Sequence, residues 1–203
     1  MSDLGALSYY LGIKVKQGKE ALMLGQSVYA SKLLERSGMA ECKPCVTPME
    51  ERLKLTKAST AVKVDATLYR SIDGGLRYLV HTRPNIAFVV GYVSRFMEDP
   101  IEDYWAVVKR LLCYVKGMVD QGIVFPKTGE SRLQLTVFSD VDMAGDVDGW
   151  WSTSGVLVFL GSAPISWLSL KQKIVALSTC KAEYVAAAVA ACQAVWLRRL
   201  LAS

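Results

Sequence analysis

The stretch Thr136-Val-Phe-Ser-Asp140-Val-Asp142-Met-Ala-Gly145-Asp146 decides how the C-terminal part of this chain folds. Apolar and polar residues alternate up to Phe138, which predicts a strand, and the acids between Asp140 and Trp151 predict an acidic loop after it. A carboxylate, that of Asp140, is therefore expected where a buried strand ends.

The residues that follow predict two more strands, Ser154 to Leu160 and Ile165 to Leu170, and then an Ala-rich helix from Ser178 to Leu201. Glu183 lies in the opening turn of that helix. One carboxylate at a strand end and another on a facing helix can hold magnesium for phosphodiester chemistry. Asp140 and Glu183 are therefore candidate catalytic and magnesium-binding residues.

Each of these two acids also has an ordinary structural explanation. An aspartate at a strand end often serves only to form the turn. A glutamate near a helix N-terminus is favoured by the helix dipole, whatever the protein does. From the residues alone, both explanations stay open.

The first half of the chain predicts a β-hairpin followed by helices. A strand from Ser8 to Lys16 turns at Gln17-Gly18-Lys19 and returns through Glu20 to Leu24. A helix from Gln26 to Ser37 stops at Gly38. After a polar, proline-containing loop from Ala40 to Ala66 come three predicted helices, Thr67 to Val80, Pro84 to Met97 and Ile101 to Gly117. The expected fold class is mixed α/β (α+β), a hairpin with helices followed by a β-β-β-α unit.

Composition narrows the possible partners. Net charge is +5, which is compatible with phosphate contacts. Four basic side chains could contact phosphates or could form an ordinary solvated surface. They are Lys14, Lys16, Lys32 and Arg36. No uninterrupted apolar run approaches the roughly 18 residues of a membrane span, so no membrane partner is predicted.

The N-terminal residues and the cysteines predict an intracellular protein, in the cytoplasm or nucleus and not secreted. The sequence starts without a basic-then-apolar signal pattern. Its five cysteines are odd in number and scattered, which suits a reducing compartment. Cys42 and Cys45 form a lone C-x-x-C, and with one histidine in the chain we expect two ordinary thiols rather than a zinc site.

A series of short motifs, in order along nearly the whole chain, resembles the Pol polyprotein of Copia-type long-terminal-repeat retrotransposons. Each motif alone is weak, and the series is specific. The matching stretches are residues 2–13 (SDLGALSYYLGI), 69–70 (YR), Tyr78 with 81–84 (HTRP), 94–97 (SRFM), 109–110 (KR), 139–140 (SD), 152–155 (STSG), 165–167 (ISW), 171–172 (KQ), 175–178 (VALS), 182–184 (AEY) and 196–198 (WLR).

The resemblance implies three regions. Residues 1–40 look like the end of the reverse transcriptase palm, with the primer-grip hairpin and the start of the thumb. Residues 41–128 look like thumb and connection. Residues 129–203 look like a partial RNase H-like domain. In the family, the nucleic-acid substrates are a primer–template and an RNA–DNA hybrid. The remainder of the Pol polyprotein is an implied partner.

The resemblance also implies roles for the two acids. Asp140 corresponds to the first-strand carboxylate that bridges two Mg²⁺ ions, and Glu183 to the helix carboxylate on one of them. The family's other RNase H carboxylates and the polymerase aspartate pair have no counterpart here, so a truncated or trimmed gene product is expected. Lys181 stands where a glutamate is usual, and its charge opposes both the helix dipole and a nearby cation.

Three interpretations follow, and whether this chain is an enzyme stays open among them. The leading one is a Pol fragment that is catalytically inactive by itself. The others are a non-catalytic nucleic-acid-binding or Pol-binding module, and a trimmed gene model of an active RNase H.

Overall fold

The computed structural model describes residues 6–127 and 134–202. The chain divides into two compact units, which we treat separately. Unit 1 is Met1–Glu50 with Val62–Gly129, and unit 2 is Glu51–Ala61 with Glu130–Ser203. The predicted boundary between residues 128 and 129 lies outside the described residues, as do the first residues of the motif at 2–13.

Unit 1 contains an antiparallel sheet of four strands in the order β1-β2-β3-β4. The strands are β1 (Tyr9–Tyr10), β2 (Ile13–Gln17), β3 (Ala21–Gly25) and β4 (Gly122–Pro126). The predicted hairpin is confirmed as β2 and β3, which pair from Lys14↔Gly25 to Gln17↔Leu22. β4 was not predicted, and it pairs with β3 although it lies about a hundred residues further along the chain.

The prediction of one strand from residue 8 to residue 16 is wrong. Leu11 and Gly12 have φ of +46° and +82°, and they form a two-residue turn between β1 and β2. Turns with two such residues match the twist of paired strands, and Gly12 adopts its conformation without a Cβ penalty. The Tyr78 hydroxyl donates a hydrogen bond to the Leu11 carbonyl and holds the turn.

The helices of unit 1 pack around an apolar core. They are α1 (Ser27–Arg36), α2 (Ala66–Leu79), α3 (Ala87–Val93) and α4 (Glu102–Lys116). The predicted helix from Pro84 to Met97 is α-helical only in α3, because one-turn 3₁₀ segments, Pro84–Ile86 and Ser94–Phe96, flank it. The other helices are confirmed to within two residues. Their core side chains with no exposed surface include Tyr69, Ile72, Leu76, Leu79, Val93, Val108, Leu111, Leu112 and Val115.

Unit 2 confirms the predicted β-β-β-α order. A three-stranded antiparallel sheet contains β5 (Leu135–Asp142), β6 (Thr153–Leu160) and β7 (Ala163–Lys171), and the helix α5 (Thr179–Ala202) follows. The prediction that the acidic loop begins at Asp140 is wrong, because β5 stays paired with β6 through Asp142↔Thr153. Asp140 therefore lies within a strand.

α5 covers one face of this sheet. Ala190 and Leu197 pack with Val156 and Val158 of β6, and Val137 of β5 packs against the same cluster. Side chains alternate across a strand, so every second residue of β5 faces away from α5. That alternation decides where the candidate carboxylate points.

Candidate carboxylate site and basic surface

Asp140 lies on the face of the sheet that α5 does not cover. Val137 packs towards α5, so Phe138 and Asp140 belong to the opposite face. Phe138 is 57% exposed there, and its ring lies 6.0 Å from that of Phe159 in an edge-to-face pair. Asp140 is exposed, opposite Gly155 of β6, and its carboxylate accepts a hydrogen bond from the Val141 N–H at 2.8 Å.

Glu183 lies near the carboxyl end of β5 because of Gln172. The buried Gln172 amide donates to the Ser154 hydroxyl and to the Ala182 carbonyl, each at 2.9 Å. Ser154 pairs with Val141 across the sheet. The first turn of α5 is therefore held beside the strand segment that carries Asp140. The prediction that Glu183 lies in the opening turn is wrong, because α5 begins at Thr179 and its first turn contains no acid. Glu183 is exposed just after that turn.

The start of α5 has half of a capping box. The Ser178 hydroxyl accepts a hydrogen bond from the Lys181 N–H at 3.3 Å. A glutamate three residues after a capping serine would complete the box by reaching back to the serine N–H. Lys181 occupies that place with an exposed ammonium group two residues before Glu183. Its positive charge opposes a cation bound at Glu183.

The described side chains do not fit a complete magnesium site. Mg²⁺ prefers six oxygen ligands in octahedral geometry and is usually held by one or two carboxylates with waters and substrate phosphates. Asp140 and Glu183 are two exposed carboxylates, and residues 6–127 and 134–202 contain no cluster of three or more His, Cys, Asp or Glu arranged to hold a metal ion. Magnesium binding by Asp140 and Glu183 stays a prediction from the resemblance.

Two further acids of the loop after β5 have structural partners. The Asp146 carboxylate, whose side chain is 13% exposed, pairs with the Lys171 ammonium. Asp148 accepts hydrogen bonds from the Thr56 hydroxyl at 2.6 Å and the Lys57 N–H at 2.9 Å. Each of these two carboxylates ties the loop to another segment of unit 2.

Lys14 and Lys16 share one exposed face of the unit 1 sheet. They flank the buried Val15 on β2, so both side chains point away from the core. The register places Tyr9 opposite Lys14, and Tyr9 is 55% exposed. Met23 lies opposite Lys16. Tyr9, Lys14 and Lys16, which we call the basic strand face, combine two cations with an aromatic ring.

Lys32 and Arg36 form a second basic pair, one turn apart on α1. Both are exposed. The Arg36 guanidinium donates to the Ser71 carbonyl of α2 at 3.2 Å, so it also ties two helices together. Of the four predicted basic residues, Lys14 and Lys16 are the pair that the strand register brings onto one face.

Sequence reasoning missed Tyr9 and two buried polar residues of unit 1, Asp73 and Arg83. The signal that could have revealed Tyr9 is the turn at Leu11 and Gly12, because this turn pairs Tyr9 with Lys14 across β1 and β2. Asp73 accepts a hydrogen bond from Ser94 at 2.8 Å, and burial raises the pKa of its carboxyl, an effect that this hydrogen bond opposes. Nothing local in the sequence marks Asp73 as buried.

Arg83 is the second buried polar residue of unit 1 that sequence reasoning missed. It donates to the Val119 carbonyl at 2.9 Å and to the Thr82 hydroxyl at 3.3 Å, and burial lowers the pKa of its guanidinium. These contacts satisfy a carbonyl just beyond the C-terminus of α4. Arg83 is therefore a structural residue at a helix end.

One helix of the described part of the chain, Thr179–Ala202, is long and apolar enough to cross a membrane by length and composition. This is weak evidence, because core helices of soluble proteins meet the same criterion. Ala182, Ala186, Ala190 and Leu197 of this helix are buried inside unit 2.

Comparison with known proteins gives close relatives in transposons. A retrovirus-related Pol polyprotein from transposon RE2 of Arabidopsis thaliana is 43% identical over 96% of this chain. A second, from transposon TNT 1-94 of Nicotiana tabacum, is 40% identical over 99% of it. An uncharacterized mitochondrial protein of Arabidopsis thaliana is 39% identical over 97% of this chain, which spans 80% of that protein.

The chain spans 13% and 16% of the two polyproteins. No family model matches the chain. No solved structure matches it either.

Proposed function

Because this chain belongs to the retrovirus-related Pol polyproteins of Copia-type transposons, we propose that it is a nucleic-acid-binding part of such a polyprotein, with an RNA–DNA hybrid or a primer–template as its ligand. In this proposal unit 1 is the end of the reverse transcriptase palm with thumb and connection. Unit 2 is an RNase H-like unit that is catalytically inactive in this chain by itself.

The observation that carries the binding proposal is the basic strand face. Lys14 and Lys16 are two residues apart on β2, so their Cα atoms are roughly 6.6 Å apart along the strand. Two ammonium groups at this spacing can contact neighbouring phosphates of one strand, and Tyr9 offers a ring on which a base or sugar can pack. Contacts of this kind do not depend on the base sequence, which suits a protein that binds an RNA–DNA hybrid or a primer–template of any sequence.

The proposal that unit 2 is inactive rests on its two carboxylates. Asp140 points to the face that α5 leaves open, and Glu183 lies on α5 next to the cation of Lys181. A magnesium ion bound there would supply charge stabilisation at the phosphate and an activated water. Two exposed acids with a lysine nearby leave most of the ion's coordination to water and substrate, so we expect weak binding and no turnover.

A hybrid-binding and cleavage assay tests both parts of the proposal. The purified chain is titrated into a fluorescent RNA–DNA hybrid at low salt to measure binding. Cleavage of the RNA strand is then followed after Mg²⁺ is added to a concentration on the order of millimolar. Salt-sensitive binding without cleavage is expected. Absence of binding at low salt contradicts the binding proposal, and magnesium-dependent cleavage that disappears in Asp140→Asn contradicts the inactivity.

The second candidate is an RNase H that becomes active when further carboxylates are supplied in trans. The contact of Gln172 with Ala182 favours it, because this contact keeps Glu183 beside the carboxyl end of β5. Mixing the chain with a separately produced downstream segment of a related Pol polyprotein, in the same cleavage assay, tests this candidate. Cleavage by the mixture but by neither part alone supports it.

A further inference from the structure

Three of the five cysteines meet in unit 1. Cys42 and Cys45 lie in the segment after α1, and Cys113 lies near the C-terminus of α4. The Cys45 N–H donates to the Cys113 carbonyl at 3.2 Å. The Cys42 and Cys45 thiols lie near enough to Cys113 to affect the pKa of its thiol, which burial chiefly raises, and all three cysteines are partly buried.

Contacts on both sides of these thiols hold the segment against α4. The Arg110 guanidinium pairs with Glu50 at 3.2 Å and donates to the Thr47 hydroxyl at 2.9 Å. One turn beyond Cys113, the Lys116 ammonium donates to the Ala40 carbonyl. The segment is therefore fixed to α4 before and after Cys45.

The backbone contact between Cys45 and Cys113 suits a disulfide. The main-chain hydrogen bond places Cys45 next to Cys113, and a disulfide requires such a close approach of the two backbones. A metal is a poorer explanation, because no group of three or more His, Cys, Asp or Glu in the described part of the chain has the arrangement of a metal site. Cys42 and Cys45 form a C-x-x-C, a motif that also occurs in disulfide oxidoreductases.

We propose that Cys45 and Cys113 form a reversible disulfide that locks the segment after α1 onto α4, with a small-molecule disulfide such as oxidised glutathione as the oxidant. The Cys45 thiolate attacks the oxidant and releases one glutathione thiolate. The Cys113 thiol then loses its proton, attacks the Cys45 sulfur of the mixed disulfide and releases the second. Two protein thiols are oxidised, and one glutathione disulfide is reduced to two glutathiones.

Cys113 is assigned the second step. Burial raises the pKa of its thiol, which disfavours the thiolate form that attacks a dissolved disulfide. Once Cys45 carries the mixed disulfide, Cys113 is held next to the sulfur that it must attack. Reduction of this bond takes two external thiols: one glutathione thiolate attacks it to give a mixed disulfide, and a second glutathione releases the protein thiol and leaves as oxidised glutathione.

Disulfide mapping of the folded chain tests the proposal without any mutation. The purified protein is incubated with oxidised glutathione in native buffer, alkylated, digested and analysed by mass spectrometry. Free thiols should fall from five to three, with Cys45 linked to Cys113 as the main product, and dithiothreitol should restore all five. A main product of Cys42 linked to Cys45 or to Cys113, or no thiol loss, would overturn the proposal.

Variants separate this bond from general oxidation. Cys113→Ser should abolish the Cys113 crosslink, whereas Cys192→Ser, at an exposed position on α5, should leave it unchanged. The oxidised wild-type chain should also unfold at a higher temperature than the reduced chain, since the bond closes a long loop. A crosslink pattern that is unaffected by Cys113→Ser contradicts the assignment.

Discussion

Removing the two lysines of the basic strand face should weaken the salt dependence of hybrid binding. Lys14→Gln with Lys16→Gln deletes two charges and keeps the length of both stems close to native. Both side chains are exposed on β2, and neither takes part in an ion pair shown for unit 1. We therefore expect little change in folding stability, within about 0.5 kcal/mol.

The size of the effect follows from counterion release. Each lysine–phosphate contact on a duplex contributes about 0.9 to the slope of log K against log salt. Losing two contacts lowers the magnitude of this slope by about 1.8. Over a fourfold rise in salt, from 50 to 200 mM, the affinity ratio of wild type to variant should shrink by about 4 to the power 1.8, roughly 12-fold.

Fluorescence anisotropy with a labelled RNA–DNA hybrid at four salt concentrations measures the slope. Lys63→Gln with Lys109→Gln is the matched control, because these exposed lysines lie away from β2 and the charge change is the same. Circular dichroism checks that both variants are folded. An unchanged slope in the β2 variant, or an equal fall in the control, would refute the argument that this face contacts phosphates.

Three other substitutions test the fold that supports these sites. Burial raises the pKa of the Asp73 carboxyl, so the native state holds this proton more tightly than the unfolded state does. The stability of the wild-type chain should therefore fall as the pH rises above the ordinary aspartate range. Asp73→Asn should remove that fall, which urea unfolding from pH 4 to 7 measures. Gly122→Ala should destabilise unit 1 by about 2 kcal/mol or more, because the new Cβ would lie 2.1 Å from the Leu24 carbonyl oxygen. Thermal unfolding measures this loss of stability, and an unchanged midpoint would count against the β3–β4 pairing. Gln172→Ala should cost about 2–3 kcal/mol, because it removes both hydrogen bonds that join β6 to α5, and protection of the α5 amides from hydrogen exchange should fall with it.

Local patterns made most of the secondary structure predictable. Apolar spacing located α1, α2 and α4, and Gly38, at φ +70°, ends the turn after α1 as predicted. Alternation located β6 and β7, and the Ala-rich segment located α5. Helix and strand periods depend on neighbours within a few residues, which a single sequence displays.

Long-range pairing was not predictable in the same way. β4 is five residues long, and its partner β3 lies about a hundred residues earlier. The turn at Leu11 and Gly12 splits a segment whose alternation looks like one strand. The register that follows from this turn places Tyr9 beside Lys14, and no local pattern contains that contact.

The sequence by itself determined the ancestry of this protein, the β-β-β-α order of unit 2 and the identity of its two candidate carboxylates. The tertiary structure decided which face each side chain occupies. Asp140 faces away from α5 because side chains alternate along β5 and α5 covers the Val137 side. Cys45 and Cys113 meet because the segment after α1 packs on α4, and such contacts between distant residues come from the folded chain as a whole.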